Sequence, residues 1–380
     1  MWIDSLSLRN FRGFRELDLD LRRQLTVLIG VNGSGKSTVV HAFRALPGFL
    51  TGGLKQFFSA ADVRRGEEWL ALETRSAKPP LHRLRYGVFD GTAVLESLPT
   101  DYTEAWAPTV LCLGSDRNRL VDPAAAERQN GAAPTHFEHA EHWFRWREDL
   151  ENQERVRTRD FSYEDDALGL VRRALESLVP HLKNVRVHRE DSPGASSLVF
   201  DKGGDAFSAD MLSDGEKSLV VFGVEIVKYI ATLREEASLP DRRPTIVIDE
   251  VELHLHPKWQ RVAVPRLLEA FPNCQFVITT HSPQVIGSVE LESLFILEDF
   301  EIRPALHPTK GRDSNAILEE VMGATARDPD TESALDQAAR LVEVGPEEDA
   351  REAVEVLAER FGDDDREVVR LRTALLLRGA

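Results

Sequence analysis

A phosphate-binding loop stands out near the start of the chain. Residues 30–38 read GVNGSGKST, which matches the pattern G-x4-G-K-[ST]. Gly33 and Gly35 would let backbone N–H groups curl around an anion, and a helix that begins here would add its dipole. Lys36 would reach the β- and γ-phosphates, and the Ser37 hydroxyl would bind Mg²⁺. The nucleotide contacts expected in this loop are Asn32, Gly33, Ser34, Gly35, Lys36, Ser37 and Thr38.

Two adjacent carboxylates follow an apolar run later in the chain. Asp249 and Glu250 end the sequence TIVIDE, which is typical of a buried strand that stops at two acids. Asp249 could hold Mg²⁺ through water, and Glu250 could orient and deprotonate an attacking water. Such a pair alone is more often a solvated strand end. Beside a phosphate loop it predicts phosphoryl transfer, because that reaction needs both a metal carboxylate and a base.

Two further segments have both a structural and a chemical interpretation. Ser213 and Glu216 have the S-x-x-E spacing of a capping box, and a plain helix start is the favoured interpretation of the segment alone. A serine hydroxyl at a helix start can also bind phosphate. His281, in TTHSP, follows another apolar run; a lone histidine is usually structural, but this one would reach the phosphate side of the sheet.

The elements that must position these groups alternate between strands and helices. Apolar runs and alternation predict strands at 3–8, 17–21, 25–29, 81–88, 94–98, 110–113, 184–188, 197–200, 245–248, 275–279 and 294–297, the last as an edge or final strand. Helices are expected at 37–46, 135–158, 165–179 and 214–236, and as a hairpin at 336–344 and 348–361. This pattern predicts an α/β fold with an all-helical insertion and a C-terminal helical hairpin.

Composition narrows the class of protein further. The 380 residues carry a net charge of −17, which argues against a generally basic nucleic-acid binder. Residues 311–380 hold 18 acids against 9 Lys and Arg. Two cysteines cannot form a disulfide scaffold, and the sequence contains neither a signal-peptide pattern nor an apolar run long enough for a membrane span. We therefore expect a cytoplasmic protein that makes no contact with a membrane.

The four motifs, in this order, resemble the ABC-type ATPase heads of the SMC, Rad50 and RecF group. Residues 10–14, NFRGF, match the segment that precedes the phosphate loop in that group, and LSDGE at 212–216 stands where it carries an LSGGQ-like signature. The resemblance implies an ABC-type P-loop NTPase head with mixed sheets flanked by helices, Mg²⁺-dependent ATP hydrolysis, and a homodimer or an oligomer of dimers. It also implies nucleotide contact by Arg12 and, from the other subunit, by Leu212, Ser213, Asp214, Gly215 and Glu216.

IVIDEVELHLHP at 246–257 and TTHSP at 279–283 narrow the resemblance to small, standalone ATPases of bacterial defence systems and overcoming-lysogenization-like proteins. The segment GRDSNAILEEVM at 311–322 and the helical hairpin after it resemble the ATPase subunit of Septu-type antiphage systems and of their retron-associated relatives. That family implies a separate HNH-type nuclease partner, bound here through the C-terminal region, with any DNA contact made mainly by that partner. The expected domains are a first ATPase lobe at 1–119, the helical insertion at 120–183, a second lobe at 184–310 and an acidic helical region at 311–380. Two features of relatives are missing from the sequence, namely an evident Q-loop glutamine and the acidic cluster of a Toprim nuclease.

Other hypotheses remain open at this point. The chain could be a DNA-repair ATPase of RecF or Rad50 type that binds DNA itself, which would require a basic groove; the arginines and lysines of residues 64–85 are interspersed with acids. It could also be a nucleotide-dependent scaffold with negligible turnover. A metal site beyond Mg²⁺, built on Glu252, His254 and His256, is disfavoured because the spacing is poor for zinc.

Overall fold

The computed structural model describes residues 2–46, 60–75, 82–89, 92–98, 109–114, 135–189, 196–235, 243–324 and 327–378. These divide into two compact units, residues Met1–Arg312 and Asp313–Ala380. In the sequence, residues 113–119 are the candidate position for the Q-loop residue, and the Ala-, Pro- and Gly-rich residues 122–133 are expected to form a loop. The first segment lies outside the described residues from 115 onward, and the second lies wholly outside them.

A six-stranded sheet organises the first unit. Its order is β14-β13-β3-β12-β11-β7, and every pairing is parallel except that of β13 with β14. The strands are β3 (Leu25–Ile29), β7 (Val110–Leu113), β11 (Thr245–Ile248), β12 (Gln275–Thr280), β13 (Leu294–Glu298) and β14 (Glu301–Pro304). Because β3, β11 and β12 run parallel, the segments that follow them emerge at one edge of the sheet. These three segments are the phosphate loop, the carboxylate pair and the His281 segment.

The strand at 294–297 was expected at the edge of the sheet or as its final strand, and this is wrong. β13 lies between β3 and β14, and a two-residue turn at Asp299 and Phe300 leads into β14. The short sequence EIRP of β14 is mostly exposed, so it lacks the apolar run that would have predicted a strand.

A second sheet, which is antiparallel, packs on the side of the first helix that faces away from the six-stranded sheet. Its order is β2-β1-β4-β5-β6, and its strands are β1 (Ser5–Phe11), β2 (Phe14–Asp20), β4 (Trp69–Arg75), β5 (His82–Phe89) and β6 (Thr92–Leu98). Helix α1 (Lys36–Ala45) packs between the two sheets, where Phe43, Leu8 and Leu28 share one buried cluster. Burying this cluster fixes the start of α1 against the edge where the motifs meet.

Helices and a small sheet complete the first unit. The helices are α2 (His136–Thr158), α3 (Asp166–Leu178), α4 (Asp214–Glu235), α5 (Pro257–Ala270) and α6 (Pro283–Ile286). The small sheet has the order β10-β9-β8, from β8 (Lys183–Arg189), β9 (Ser196–Lys202) and β10 (Asp205–Ser208). Helices α2 and α3 confirm the two helices predicted at 135–158 and 165–179. Thr135 and Glu138 form a capping box at the start of α2, and Asp165 caps α3.

The second unit is a helical bundle. It contains α7 (Ser314–Glu320), α8 (Pro329–Val344), α9 (Glu347–Phe361) and α10 (Arg366–Arg378). The hairpin predicted from 336–344 and 348–361 is incomplete, because α10 adds Val368 and Leu371 to the core of α8 and α9. The many charges of α10 hide this apolar face in the sequence. The finer division into lobes and insertion stays a prediction.

The fold predicted from the sequence is confirmed at the level of an α/β P-loop NTPase with mixed sheets and helices. In the part of the chain that the structure describes, no helix has the length and apolar character needed to cross a bilayer.

Candidate nucleotide site

The phosphate loop connects β3 to α1 through backbone conformations that only glycine adopts without strain. Gly33 and Gly35 have φ values of 83° and 109°. Gly35 is the residue that caps α1, no side chain caps the helix, and its first turn contains no acid. The helix dipole and the first N–H groups therefore act on whatever lies beside the loop, which favours an anion.

Lys36 is buried and lies across its own loop. Its Nζ donates hydrogen bonds to the carbonyl oxygens of Gly30 at 2.9 Å and Val31 at 3.0 Å. Burial lowers the pKa of Lys36, and the carboxylates of Asp249 and Glu250 oppose that shift. The ammonium thus lies across the loop, and the nearby carboxylates favour its charged form, which can attract a phosphate group.

Thr279 joins the two carboxylates that follow β11. Its hydroxyl donates to Asp249 Oδ1 at 2.6 Å and accepts the backbone N–H of Glu250 at 2.8 Å. Asp249 is buried, whereas Glu250 is partly exposed and has a left-handed φ of 49°. That conformation costs a non-glycine residue about 1–2 kcal/mol. The Thr279 bond helps to hold it, and the result is an acid turned out of the strand direction at the sheet edge.

Glu252 ties the same loop to the His281 segment. Its Oε1 accepts the backbone N–H of His281 at 2.5 Å, and its buried Oε2 has no hydrogen-bond partner among the described residues. Burial lowers the pKa of His281, the Lys36 ammonium lowers it further, and the carboxylate of Glu252 raises it. These shifts favour a neutral imidazole near neutral pH.

One cleft of about 330 Å³ brings most of these side chains together. It is lined by Gly13, Asn32, Gly33, Gly35, Lys36, Ser37, Thr38, Asp249, Glu250, His281 and Phe300. Nine of the residues expected from the motifs therefore line one cleft.

Phe300 and Gly13 were not expected in the cleft from the sequence. Asp299 and Phe300 form the two-residue turn between β13 and β14, with φ values of 50° and 61°. Such a turn prefers glycine at its second position, and a bulky residue there is strained. A Cβ at Gly13 would come within 2.0 Å of the Phe300 ring, so the glycine of NFRGF makes room for that ring. Phenylalanine at a turn gives no recognisable hairpin signal in the sequence.

Arg12 and Ser34, both expected nucleotide contacts, do not line the cleft. Arg12 Nε donates to Asp62 Oδ1 at 2.8 Å, and the backbone N–H of Arg12 bonds the carbonyl of Asp62. Ser34 is buried, and its hydroxyl has no hydrogen-bond partner among the described residues. Their contact with a nucleotide stays a prediction.

The signature segment forms the capping box that its spacing predicts. The Ser213 hydroxyl accepts the N–H of Glu216 at 3.3 Å and donates to Glu216 Oε2 at 2.8 Å. Glu216 Oε1 also contacts His181 Nε2 at 2.6 Å and Lys202 Nζ at 3.1 Å. Burial opposes ionisation, but these bonds prevail and lower the pKa of Glu216 to about 2. The capping spacing gave no indication of His181 or Lys202, which lie 35 and 14 residues away from Glu216.

Residues 212–216 do not line the cleft of their own chain. Gly215 packs closely on the loop after β11, since a Cβ at Gly215 would lie 2.9 Å from the His254 carbonyl oxygen. Residues 212–216 therefore contact the loop after β11, which begins with Asp249 and Glu250, from outside the cleft.

Ser37 and Asp249 suit a hard cation such as Mg²⁺. Both are oxygen donors that line the cleft, and Mg²⁺ usually takes only one or two protein ligands beside phosphate and water oxygens. Across the described ranges no group of three or more His, Cys, Asp or Glu could hold a metal ion. His256 instead caps α5, where its Nδ1 accepts the N–H of Lys258.

Two protein-family models match parts of this chain. Residues 1–64 match the family model "AAA ATPase domain", and residues 116–287 match "AAA domain, putative AbiEii toxin, Type IV TA system". Each match covers less than half of the chain, and both are to models of AAA-type ATPase domains.

Two similar proteins have names that agree with the motifs. "Retron Ec83 probable ATPase" of Escherichia coli is 31% identical over 217 residues, which cover 56% of this chain and 39% of that protein. "Septu protein PtuA" of Bacillus mycoides (strain KBAB4) is 25% identical over 332 residues, which cover 83% of this chain and 44% of that protein. The chain thus spans less than half the length of either relative. The resemblance to AAA/ABC-type ATPases, with retron and Septu proteins among the similar chains, is confirmed.

Among solved structures, an SMC head bound to the C-terminal winged-helix domain of ScpA is 14% identical with a TM-score of 0.49. That match covers 81% of this chain and 98% of the SMC chain.

Proposed function

We propose that this chain, which carries an AAA/ABC-type ATPase domain, binds and hydrolyses ATP with Mg²⁺ as the ATPase subunit of a bacterial antiphage defence complex. One observation carries the proposal, namely that a single cleft gathers Lys36, Ser37, Asp249, Glu250 and His281. This set supplies an anion cradle, hard-cation donors and a candidate base within one space.

Each residue has a role that its geometry supports. The N–H groups at the start of α1 and the Lys36 ammonium hold the phosphates. Ser37 and Asp249 hold Mg²⁺, which would neutralise phosphate charge when bound. Glu250, turned toward the cleft by its left-handed backbone, orients the attacking water and takes its proton, while His281 contacts the γ-phosphate.

A nucleotide-dependent homodimer is the second part of the proposal. The signature residues lie outside the cleft of their own chain, which agrees with a role on the nucleotide of a second copy. The Ser213 hydroxyl donates its proton to Glu216 Oε2 in the free chain, so binding a phosphate of the second copy would exchange this bond for one to the phosphate. Two copies would close on ATP and separate after hydrolysis.

The third part concerns the partner. We propose that residues 311–380 bind an HNH-type nuclease, which the ATP-dependent dimer controls, and that DNA is contacted mainly through that nuclease. Support comes from the resemblance of residues 311–322 to the ATPase subunits of Septu-type systems and from the acidic composition of the region. On α9, Glu348, Glu352 and Glu359 are exposed and lie on one helical face. The proposal places the complex in the cytoplasm, where phage DNA arrives.

Calorimetry with ATP and Mg²⁺ tests the nucleotide site. Lys36→Ala should weaken ATP binding by about tenfold or more, because a charge-assisted hydrogen bond to phosphate is lost. Lys258→Ala, at an exposed lysine outside the cleft, is the control and should bind ATP like the wild type. Equal affinity of Lys36→Ala and wild type would exclude the phosphate-loop role.

Affinity purification from the protein's own host, with and without ATP, tests the partner. A small HNH-type nuclease should co-purify with the full chain and be lost when residues 313–380, a compact unit with its own core, are deleted. Recovery of only the chain itself and DNA, together with DNA-stimulated hydrolysis, would instead support a RecF-like repair ATPase. A rate of hydrolysis near zero would favour a nucleotide-dependent scaffold.

A further inference from the structure

Phe300 places a partly exposed aromatic ring in the wall of the phosphate cleft. The ring lines the cleft beside Gly13 and Gly35, and the buried ring of Phe14 meets it at 90° with centroids 5.4 Å apart. The part of the Phe300 ring that remains exposed therefore adjoins the phosphate loop.

The backbone holds this ring in place at a cost. Asp299 and Phe300 both have positive φ values, a conformation in which glycine would be favoured at the second position. A Cβ at Gly13 would lie 2.0 Å from the Phe300 ring, and a Cβ at Gly35 would lie 2.6 Å from the Phe14 ring and 3.1 Å from the Phe300 ring. The ring packs against the core on one side and stays partly exposed in the cleft on the other, so a bulky residue at a strained turn is available to contact a ligand there.

The remaining groups of the cleft suit phosphate, metal and water rather than a base. Lys36, Ser37, Thr38, Asn32, the two carboxylates and His281 are polar, and Phe300 is the aromatic hydrocarbon side chain among the described lining residues. A nucleoside triphosphate has one part with complementary chemistry, its nucleobase, and a base stacks favourably on an aromatic ring. The turn between β1 and β2, which contains Gly13, forms the adjoining wall.

We propose that Phe300 is the stacking platform for the purine base of the nucleotide, with Gly13 and Gly35 providing the space that the ring needs. The inference rests on the proposed nucleotide site and adds to it the base subsite. Phe14, behind the ring, positions Phe300 and does not touch the base.

The test compares the binding of two probes by three proteins: the wild type, Phe300→Leu and Phe300→Tyr. Calorimetry measures affinity for a non-hydrolysable ATP analogue and for inorganic triphosphate, which has no base. Phe300→Leu should weaken binding of the ATP analogue by about tenfold and leave triphosphate binding unchanged, because only the base loses its contact. Phe300→Tyr keeps the ring and should bind both probes like wild type. Phe161→Leu, at a phenylalanine that is 77% exposed, is the matched control and should change neither affinity.

Two outcomes would overturn the inference while leaving the nucleotide site intact. In one, Phe300→Leu binds the ATP analogue as tightly as wild type, which means that the base does not touch the ring. In the other, it loses affinity for both probes equally, which means that the ring only supports the phosphate loop. If wild type binds neither probe, the proposed function itself fails and the inference fails with it.

Discussion

The hydroxyl of Thr279 donates a 2.6 Å hydrogen bond to Asp249 Oδ1 across two neighbouring parallel strands. The same oxygen accepts the N–H of Glu250, so one side chain fixes the rotamer of one acid and the backbone of the next. The last residues of β12 therefore set the geometry of the carboxylate pair after β11.

Replacing this hydroxyl should impair both catalysis and stability. Thr279→Val keeps the shape of the side chain but removes both bonds, and we expect kcat to fall by about 10- to 100-fold, the scale of a small misplacement of a catalytic group. The free energy of unfolding should fall by about 1–3 kcal/mol, because buried polar atoms lose partners. Phosphate release and denaturant unfolding measure the two effects.

Thr245→Val is the matched control at the opposite end of the same strand pair. Thr245 is equally buried and donates to Gln275 Oε1 at 3.0 Å, far along β11 from the carboxylates. It should lose about 1 kcal/mol of stability with kcat unchanged. Equal effects of the two variants on kcat would mean that Thr279 acts only through stability.

The protonation of His281 provides a second prediction. Burial and the Lys36 ammonium lower the pKa of His281, so NMR titration of the histidine ring should give a value below the usual figure of about 6.5. Glu252→Gln removes a carboxylate that raises this pKa, and the value should fall further while the amide oxygen can still accept the His281 N–H. The His281→Gln variant assigns the signal. A pKa at or above 6.5 in the wild type would contradict the account.

The lowered pKa of Glu216 predicts how the free energy of unfolding depends on pH. Its pKa falls from 4.5 to about 2 in the folded chain, so its contribution is fully present above pH 4.5 and is lost progressively as the pH falls toward 2. The wild type should therefore exceed Glu216→Gln in unfolding free energy at pH 6, and the difference should shrink as the pH drops below 4.5. Urea unfolding across this pH range measures the difference in unfolding free energy. A difference that is independent of pH would exclude a stabilising role for the ionised carboxylate of Glu216.

The bundle of the second unit gives a fourth prediction. Leu357 lies in the core that α8, α9 and α10 share, whereas Val356 beside it is 58% exposed. Leu357→Ala should destabilise this unit by about 2–5 kcal/mol, and Val356→Ala should change its stability by less than about 0.5 kcal/mol. If the bundle binds the partner, the partner should be lost with Leu357→Ala while ATP affinity persists. Partner binding that survives unfolding of the bundle would place the interface elsewhere.

The parts of the fold with strong local signals could be predicted from the sequence. The buried runs of β3, β11 and β12 and the loop between β3 and α1 were found because their glycines and apolar residues are contiguous. Several elements were missed, including β4, β10, β14, α5 and α10. Of these, β14 is a short exposed strand, and α10 is a helix whose charges conceal its apolar face.

The candidate site could be predicted only where the motif residue itself lines the cleft. Thr279, Glu252 and Phe300 were missed because each acts through a contact with a residue distant in sequence, made only once the strands align. Glu250 was identified by its position, but its left-handed backbone was not, since no local turn residue signals it.

Glu250→Gln tests whether Glu250 takes the proton of the attacking water in an ATP-hydrolysing cleft. The variant should bind ATP with wild-type affinity, hydrolyse it at least about 100-fold more slowly, and double in mass by light scattering when ATP and Mg²⁺ are present. Glu292→Gln, at an exposed acid outside the cleft, should behave as wild type. A Glu250→Gln variant that turns over ATP at the wild-type rate and stays monomeric would contradict the account.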